Sequence, residues 1–243
     1  MLQADTPPLA DPATDLRLKP LTAYAGSLGQ KVYGSLREAI LTLAFNPGEI
    51  LRKPEICAAL GVSRSPVAEA VARLAGEHLV RVVPQAGTFV ARLSMGEVRE
   101  GAFLRQALEL AAVERVAETI TEAQLVDLRR TLRIQAAHVA DHDFSGFHQA
   151  DAAMHDLILS FTGFTRLSAL AESAWLHVNR ARQLLLPSPG RVEQALAEHL
   201  QIVAALEAHD AVAARLATQL HLSQLTALLE PLAAAQPDLF DKD

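Results

Sequence analysis

At 243 residues and 26.1 kDa the chain can bury one large core or two modest ones without disulfide or metal staples. Half of its residues are hydrophobic and 21% charged, with a mean hydropathy of +0.17, which excludes collagen-like, mucin-like and acidic-tail chains. The lack of an apolar run of about 18 residues, and of a basic, apolar and small-residue order at the N-terminus, speaks against membrane insertion and secretion. One cysteine, Cys57, allows no internal disulfide and no thiolate metal site, so we expect a cytoplasmic protein in which any metal is held by His and carboxylates. The net charge of -6 is uneven: from Ser27 to Ser94 there are eight Lys/Arg against five acids, and elsewhere 14 against 23. A basic module joined to an acidic one suits a nucleic-acid binder with a separate sensing or assembly domain.

Residues 1–26 hold four prolines and little periodicity, and are expected to form a mobile leader. From Gln30, the apolar row Val32, Leu36, Ile40 and Leu43 predicts a helix that stops at Asn46-Pro47-Gly48. Pro54 opens a short helix that Gly61 closes, and Ser63 with Pro66 starts another that runs to about Gly76. Leu79–Val83 and Thr88–Ala91 flank a glycine-containing turn and predict a hairpin. Beyond Met95 the pattern becomes Ala- and Leu-rich without strand signals, and six helices are expected at 95–119, 122–140, 144–161, 164–185, 191–208 and 211–230. Thr121 with Gln124, Asp143 and Asp210 supply N-caps, and Pro187-Ser188-Pro189-Gly190 is a loop. The fold class is therefore mainly α: a winged helix-turn-helix of three helices and a two-stranded wing (27–93), an all-α bundle (95–231) and a frayed tail (232–243).

A winged helix places its second motif helix in the major groove of DNA while the wing tracks the backbone. Ser63, Arg64 and Ser65 open that helix, with Arg64 the first choice for a base contact. Arg52, Lys53, Arg73 and the Gly87 backbone, together with Arg81 and Gln85, are expected on phosphates. The segments Ser35–Ile40, Pro47-Gly48-Glu49, Leu60–Val67 and Gly87–Val90 resemble, in order, the winged helix of GntR-type bacterial regulators over residues 28–93. The family's recognition segment usually continues Arg-Glu-Ala-Leu, whereas this chain has Ala68-Glu69-Ala70-Val71. A lost arginine contact removes about 1–3 kcal/mol per half-site, which Arg52 and Lys53 can offset through phosphates.

Asp151 and His155 stand four apart on one predicted helix, hence on one face, while His199 and His221 lie mid-helix in later segments. Three imidazoles and a carboxylate suit Zn²⁺, Ni²⁺ or a similar divalent ion with a position left for water or a carboxylate. Spacing alone also fits isolated core histidines. The order Asp-x-x-x-His, Glu-His, His is similar to the FCD effector domain of the FadR-type GntR branch, and this resemblance implies a divalent metal in the bundle with a small organic acid beside it. His148 faces the same way as Asp151 and His155, and Phe164 stands where the family often has Asn. Arg105 matches that family's Arg-x-x-Leu-Glu pattern, and Asn179 with Arg180, or Arg182, sits on a helix able to face the same cavity; an arginine fork suits a carboxylate.

These features imply a ligand-responsive transcriptional regulator: a homodimer on a palindromic double-stranded operator, sensing a small carboxylate effector at Zn²⁺ or Ni²⁺. Two alternatives are a metal-dependent enzyme, for which the sequence offers no His-Glu-x-x-His base or nucleophile motif, and a purely structural metal in a dimerising domain.

Overall fold

In a computed structural model, which describes residues 17–241 apart from the side chains of Ser173 and Ala174, the chain divides into two units between Arg92 and Leu93. The first unit begins α1 (Leu28–Leu41), α2 (Lys53–Leu60) and α3 (Arg64–Gly76), followed by strands β1 (Val80–Val83) and β2 (Gly87–Val90). Ser27 and Gln30 close a reciprocal capping box at the start of α1, two residues before the apolar row becomes visible. Val32, Leu36 and Ile40 turn inward onto Val67, Val71 and Leu74 of α3, all of them buried. Gly61 ends α2 in the left-handed region at φ 63°, which sets the turn into α3.

β1 and β2 pair antiparallel, with Val80 opposite Val90 and Val83 opposite Gly87. The wing has a further edge that periodicity missed: Ile50 bridges Phe89, and Leu51 N–H donates to the Thr88 carbonyl at 2.8 Å. This pairing ties the chain entering α2 to β2. Part of the expected leader is also ordered onto this unit. Leu18 is buried, Arg17 pairs with Glu49 at 2.5 Å and stacks on Phe45, and Ser35 Oγ donates to the Lys19 carbonyl at 2.8 Å. Residues 1–16 of that leader lie outside the described residues.

The second unit has α4 (Met95–Thr119), α5 (Glu122–Ala140), α6 (Phe144–Phe161), α7 (Leu167–Ala174), α8 (Leu176–Leu185), α9 (Arg191–Glu207) and α10 (Ala211–Ala235). Thr121, Asp143 and Asp210 cap α5, α6 and α10 by accepting from the backbone N–H groups of Gln124, Gly146 and Ala213. The single helix expected over 164–185 is broken: α7 ends at Trp175, and α8 restarts there after a residue at φ -93°, ψ 0°. α4 and α10 lie antiparallel, stapled by Arg99–Glu230 and Arg215–Glu114, each 3.0 Å. Val113, Val116, Leu128, Met154, Ile202 and Leu206 form the core between α4, α5, α6 and α9.

The tail is not frayed as expected. After α10 the chain turns through Pro237–Leu239 and buries Phe240 against Leu93, Val98, Val178 and Leu229. Leu93 N–H donates to the Leu239 carbonyl and Asp241 N–H to the Leu93 carbonyl, both 2.9 Å. An aromatic ten residues beyond the last predicted helix has no periodic partners, so its burial left no pattern to read.

Candidate functional site

Asp151 and His155 project from consecutive turns of α6, His199 from the middle of α9 and His221 from the middle of α10. All four are buried, and one ligating atom from each lies within 4.8 Å of the others. His199 Nε2 is 3.2 Å from Asp151 Oδ1 and 3.3 Å from His221 Nε2. Such separations are edges of a coordination polyhedron with bonds of about 2.0–2.2 Å. His155 Nε2 and Asp151 Oδ1, 4.0 Å apart, are both buried without a hydrogen bond of good geometry among the described residues.

The groups behind these atoms orient them. Gln135 donates through Nε2 to the Ala150 carbonyl, so its Oε1 faces His199 Nδ1, 2.7 Å away, and accepts from it. Glu198 Oε2 accepts from His221 Nδ1 at 2.8 Å, and Arg191 holds that carboxylate at 3.1 Å. A proton on Nδ1 leaves the Nε2 lone pair of each ring pointing inward. His155 Nδ1 lies 2.7 Å from Glu109 Oε2, a close but bent contact, and Arg105 Nε donates to Glu109 Oε1 at 2.5 Å. Asp151 Oδ2 accepts from Arg182.

Burial pushes His199 down to about 4 despite the opposing pull of Asp151, and it drives His221 well below the usual imidazole range with the repulsion of His199 and His155 added. Burial would raise Glu109, but Arg105 and then His155 hold it at about 2; Arg182 and then His199 outweigh burial at Asp151 and hold it well below the usual carboxylate range. Neutral imidazoles beside an ionised carboxylate are the protonation states a divalent metal requires. The residues therefore fit a metal ion on donor chemistry as well as on geometry.

A cavity of about 410 Å³ adjoins His155 and is also lined by Arg105, Asn179 and Arg182. Arg180 is not among its walls. Its side chain is fully buried on the other side of α8, where burial lowers it to about 10 against the attraction of Asp241 and Glu97. Residues two apart on a helix point about 200° apart, so only one of Arg180 and Arg182 can face the cavity, and the geometry selects Arg182. Asp156 also lines the cavity; partial burial raises its carboxyl, His155 opposes the shift, and Glu109 and Glu172 add to it. His148 is held down to about 4 by burial and then by Arg182 and stays outside the four-residue group, while His177 lies 3.4 Å from Glu97. Phe164 is exposed beneath Arg115 and does not line the cavity.

In the first unit, Ser63, Arg64 and Ser65 are exposed at the start of α3. The β2 pairing brings Arg52, Lys53 and Gly87 around one surface depression, which includes Thr88 and Pro54. Arg73, about 13 Å along α3 from Arg64, stacks on Tyr33 at 3.7 Å and pairs with Glu77 at 3.7 Å, so its guanidinium is engaged within the unit.

The FCD domain model matches residues 100–224, and the model of bacterial regulatory proteins of the gntR family matches residues 28–90. The chain belongs to the GntR family, with an FCD domain. Similar proteins include the HTH-type transcriptional repressor RspR of Escherichia coli K12, 30% identical over 89% of this chain and 95% of its own length. A regulator in an unstable DNA locus of Streptomyces ambofaciens is 34% identical over 87% and 89%. Among solved structures, a GntR regulator from Rhodococcus sp. RHA1 superimposes with a TM-score of 0.73 at 28% identity, covering 85% of this chain and 99% of its own. Escherichia coli McbR/YncC has the same TM-score at 23% identity, over 86% and 99%, and shares the fold. No helix among the described residues is long and apolar enough to cross a membrane.

Within this GntR-family chain, sequence reasoning passed over Glu109, Gln135 and Glu198 as orienting groups. Gln135 carried a usable signal, a polar residue at the next inward position of the α5 row Leu125, Leu128 and Leu132, where an unpaired amide would be costly.

Proposed function

We propose that this transcriptional regulator acts as a cytoplasmic homodimer on a palindromic DNA operator and senses a small carboxylic acid at a divalent metal, zinc or nickel, held by Asp151, His155, His199 and His221. The observation that carries this reading is the convergence of three buried imidazoles and one carboxylate beside a cavity reached by Arg182. Among the charged groups around the metal position, Arg105, Arg182 and Arg191 balance Asp151, Glu109 and Glu198. A divalent cation then leaves an excess of two positive charges, and a ligand carboxylate compensates one of them. The metal supplies Lewis acidity toward the ligand's oxygen; the chain supplies orientation and the arginine fork.

Dimerisation is supported by apolar residues left in solvent on α4 and α10. Phe103 is 69% exposed, Val212 79% and Leu216 57%, and Leu220 continues the α10 row. Two-fold symmetry then implies a palindrome, with Arg64 on bases and Arg52, Lys53 and the Gly87 backbone on phosphates. An effector changes operator affinity by binding the two arrangements of the dimer unequally.

The test is selection of sheared genomic DNA by the purified full-length chain, loaded with zinc or nickel and assayed for bound metal. About one metal per chain and enrichment of one short palindrome, released or strengthened by a panel of acids, are expected. A chain that retains no metal, or that enriches no sequence under any of these conditions, overturns the proposal.

A further inference from the structure

α3 carries two basic residues, Arg64 and Arg73, in different surroundings. Arg64 stands exposed in the first turn, whereas the Arg73 guanidinium is turned back onto Tyr33 and Glu77. The one acid of the helix, Glu69, is also drawn aside: its carboxylate lies against the Gly29 backbone at the start of α1. What remains on the solvent face is small. Ser65, Ala68 and Ala72 follow one another at spacings of three and four residues, hence on one side of the helix, and all three are exposed. Ala68 also lies one turn, about 6 Å, beyond Arg64. Pro66, Val67, Ala70, Val71 and Leu74 are buried, so Ala68 belongs to the side that α3 turns away from its own unit.

A winged helix presents this side of its second motif helix to the floor of the major groove. There guanine offers two acceptors, cytosine an amino donor, adenine one of each, and thymine a carbonyl beside a methyl group. An alanine side chain makes no hydrogen bond and gains only by covering apolar surface, and the thymine methyl is the apolar group that the groove offers. Resting on the operator reading above, we infer that Ala68 is a specificity-determining residue for thymine: each half-site carries a guanine taken by Arg64 and, within about two base pairs of it, a thymine whose methyl packs against the Ala68 methyl. The separation follows from one helical turn laid along a duplex that rises about 3.4 Å per base pair. Ser65 and Ala72 carry no long side chain to hold α3 off the groove floor, so the short Ala68 side chain reaches it. Where the family's segment usually has arginine, a side chain that selects guanine, this chain therefore selects T·A. Covering one methyl group is worth about fourfold in affinity per half-site.

The test is selection from a random duplex library by the full-length chain, with and without zinc, followed by anisotropy titrations on the preferred duplex with each thymine replaced in turn by deoxyuridine, which removes only the methyl group. One thymine per half-site, within about two base pairs of the guanine that Arg64→Ala no longer selects, is expected to lose about fourfold in affinity on replacement. Ala68→Gly binds the thymine and deoxyuridine duplexes alike, and Ala68→Arg shifts the selected base pair at that position from T·A to G·C. Each variant is compared with itself on two duplexes, so a change in its stability does not enter the ratio. A preferred half-site in which no thymine near that guanine responds to loss of its methyl, or a response that Ala68→Gly leaves unchanged, overturns the inference while operator binding stands. Enrichment of no sequence by the unaltered chain overturns the operator reading as well.

Discussion

A neutral imidazole has one lone pair to give, and the group facing its other nitrogen decides which atom carries it. In this chain that decision falls to Gln135 for His199 and to Glu198 for His221. Gln135→Leu is therefore expected to weaken zinc binding by about 10- to 100-fold in a chelator competition, and Gln135→Glu, which keeps an acceptor, to restore most of it. Equal affinities for the two variants would show that Gln135 only fills space. The same burial gives a pH dependence in metal-free protein. His199 titrates at about 4 when folded and near 6.5 when unfolded, so between these values the unfolded chain binds more protons and stability rises with pH. The contribution of His199 alone is fully present above about pH 6.5 and amounts to about 3 kcal/mol lost as the pH drops to 4, with His148 and His221 adding to the fall in the same direction. Urea unfolding in the presence of a chelator measures it, and a flat profile across this window would contradict the assignment. Helix spacing made Asp151 and His155 legible as a pair, while His199 and His221 were joined to them only by the resemblance to the FCD pattern. Of their orienting groups, Glu198 stands in the Glu-His pair with His199, whereas Glu109 and Gln135 come from α4 and α5, where no local spacing connects them to the site.

At the scale of elements, three of the expected caps formed, since Thr121, Asp143 and Asp210 each accept the backbone N–H expected of them, whereas Ser63 holds the cap position of α3 without a side-chain capping bond. Breaks without proline or glycine were not legible. The interruption at Trp175 separates two segments of good helical composition, so tertiary packing rather than propensity divides them. The choice of Arg182 over Arg180 was equally hidden, because it depends on the rotation of α8 against its neighbours. The C-terminal segment is a third instance, and it carries a measurable cost. Phe240 is held in a cluster contributed by α4, α8 and α10, so Phe240→Ala is expected to destabilise the second unit by about 3–5 kcal/mol in chemical denaturation. A change below about 1 kcal/mol would mean that the segment is only loosely applied.

For the whole molecule, the uneven charge bears on how DNA is met. The segment from Ser27 to Ser94 is basic while the remainder of the chain is strongly acidic, so attraction to phosphate is confined to the first unit and opposed elsewhere. Binding is then expected to fall steeply with salt, and Arg52→Ala to lower affinity similarly for all sequences and to reduce the salt slope by about one. An Arg52→Ala protein with unchanged affinity and slope would remove Arg52 from the interface. Arg64→Ala, by contrast, is expected to cost about 1–3 kcal/mol on the preferred sequence and to relax discrimination there. Fluorescence anisotropy at several salt concentrations separates the two.

The pairing of Leu93 with Leu239 and Asp241 brings the entry and the exit of the second unit to one point. A module whose two ends meet can be cut out, or spliced as an insertion into the surface loop of another protein, without stretching its chain. The effector-binding half is thus suited to transplantation as a self-contained sensor, with its ends, rather than its interior, as the points of attachment.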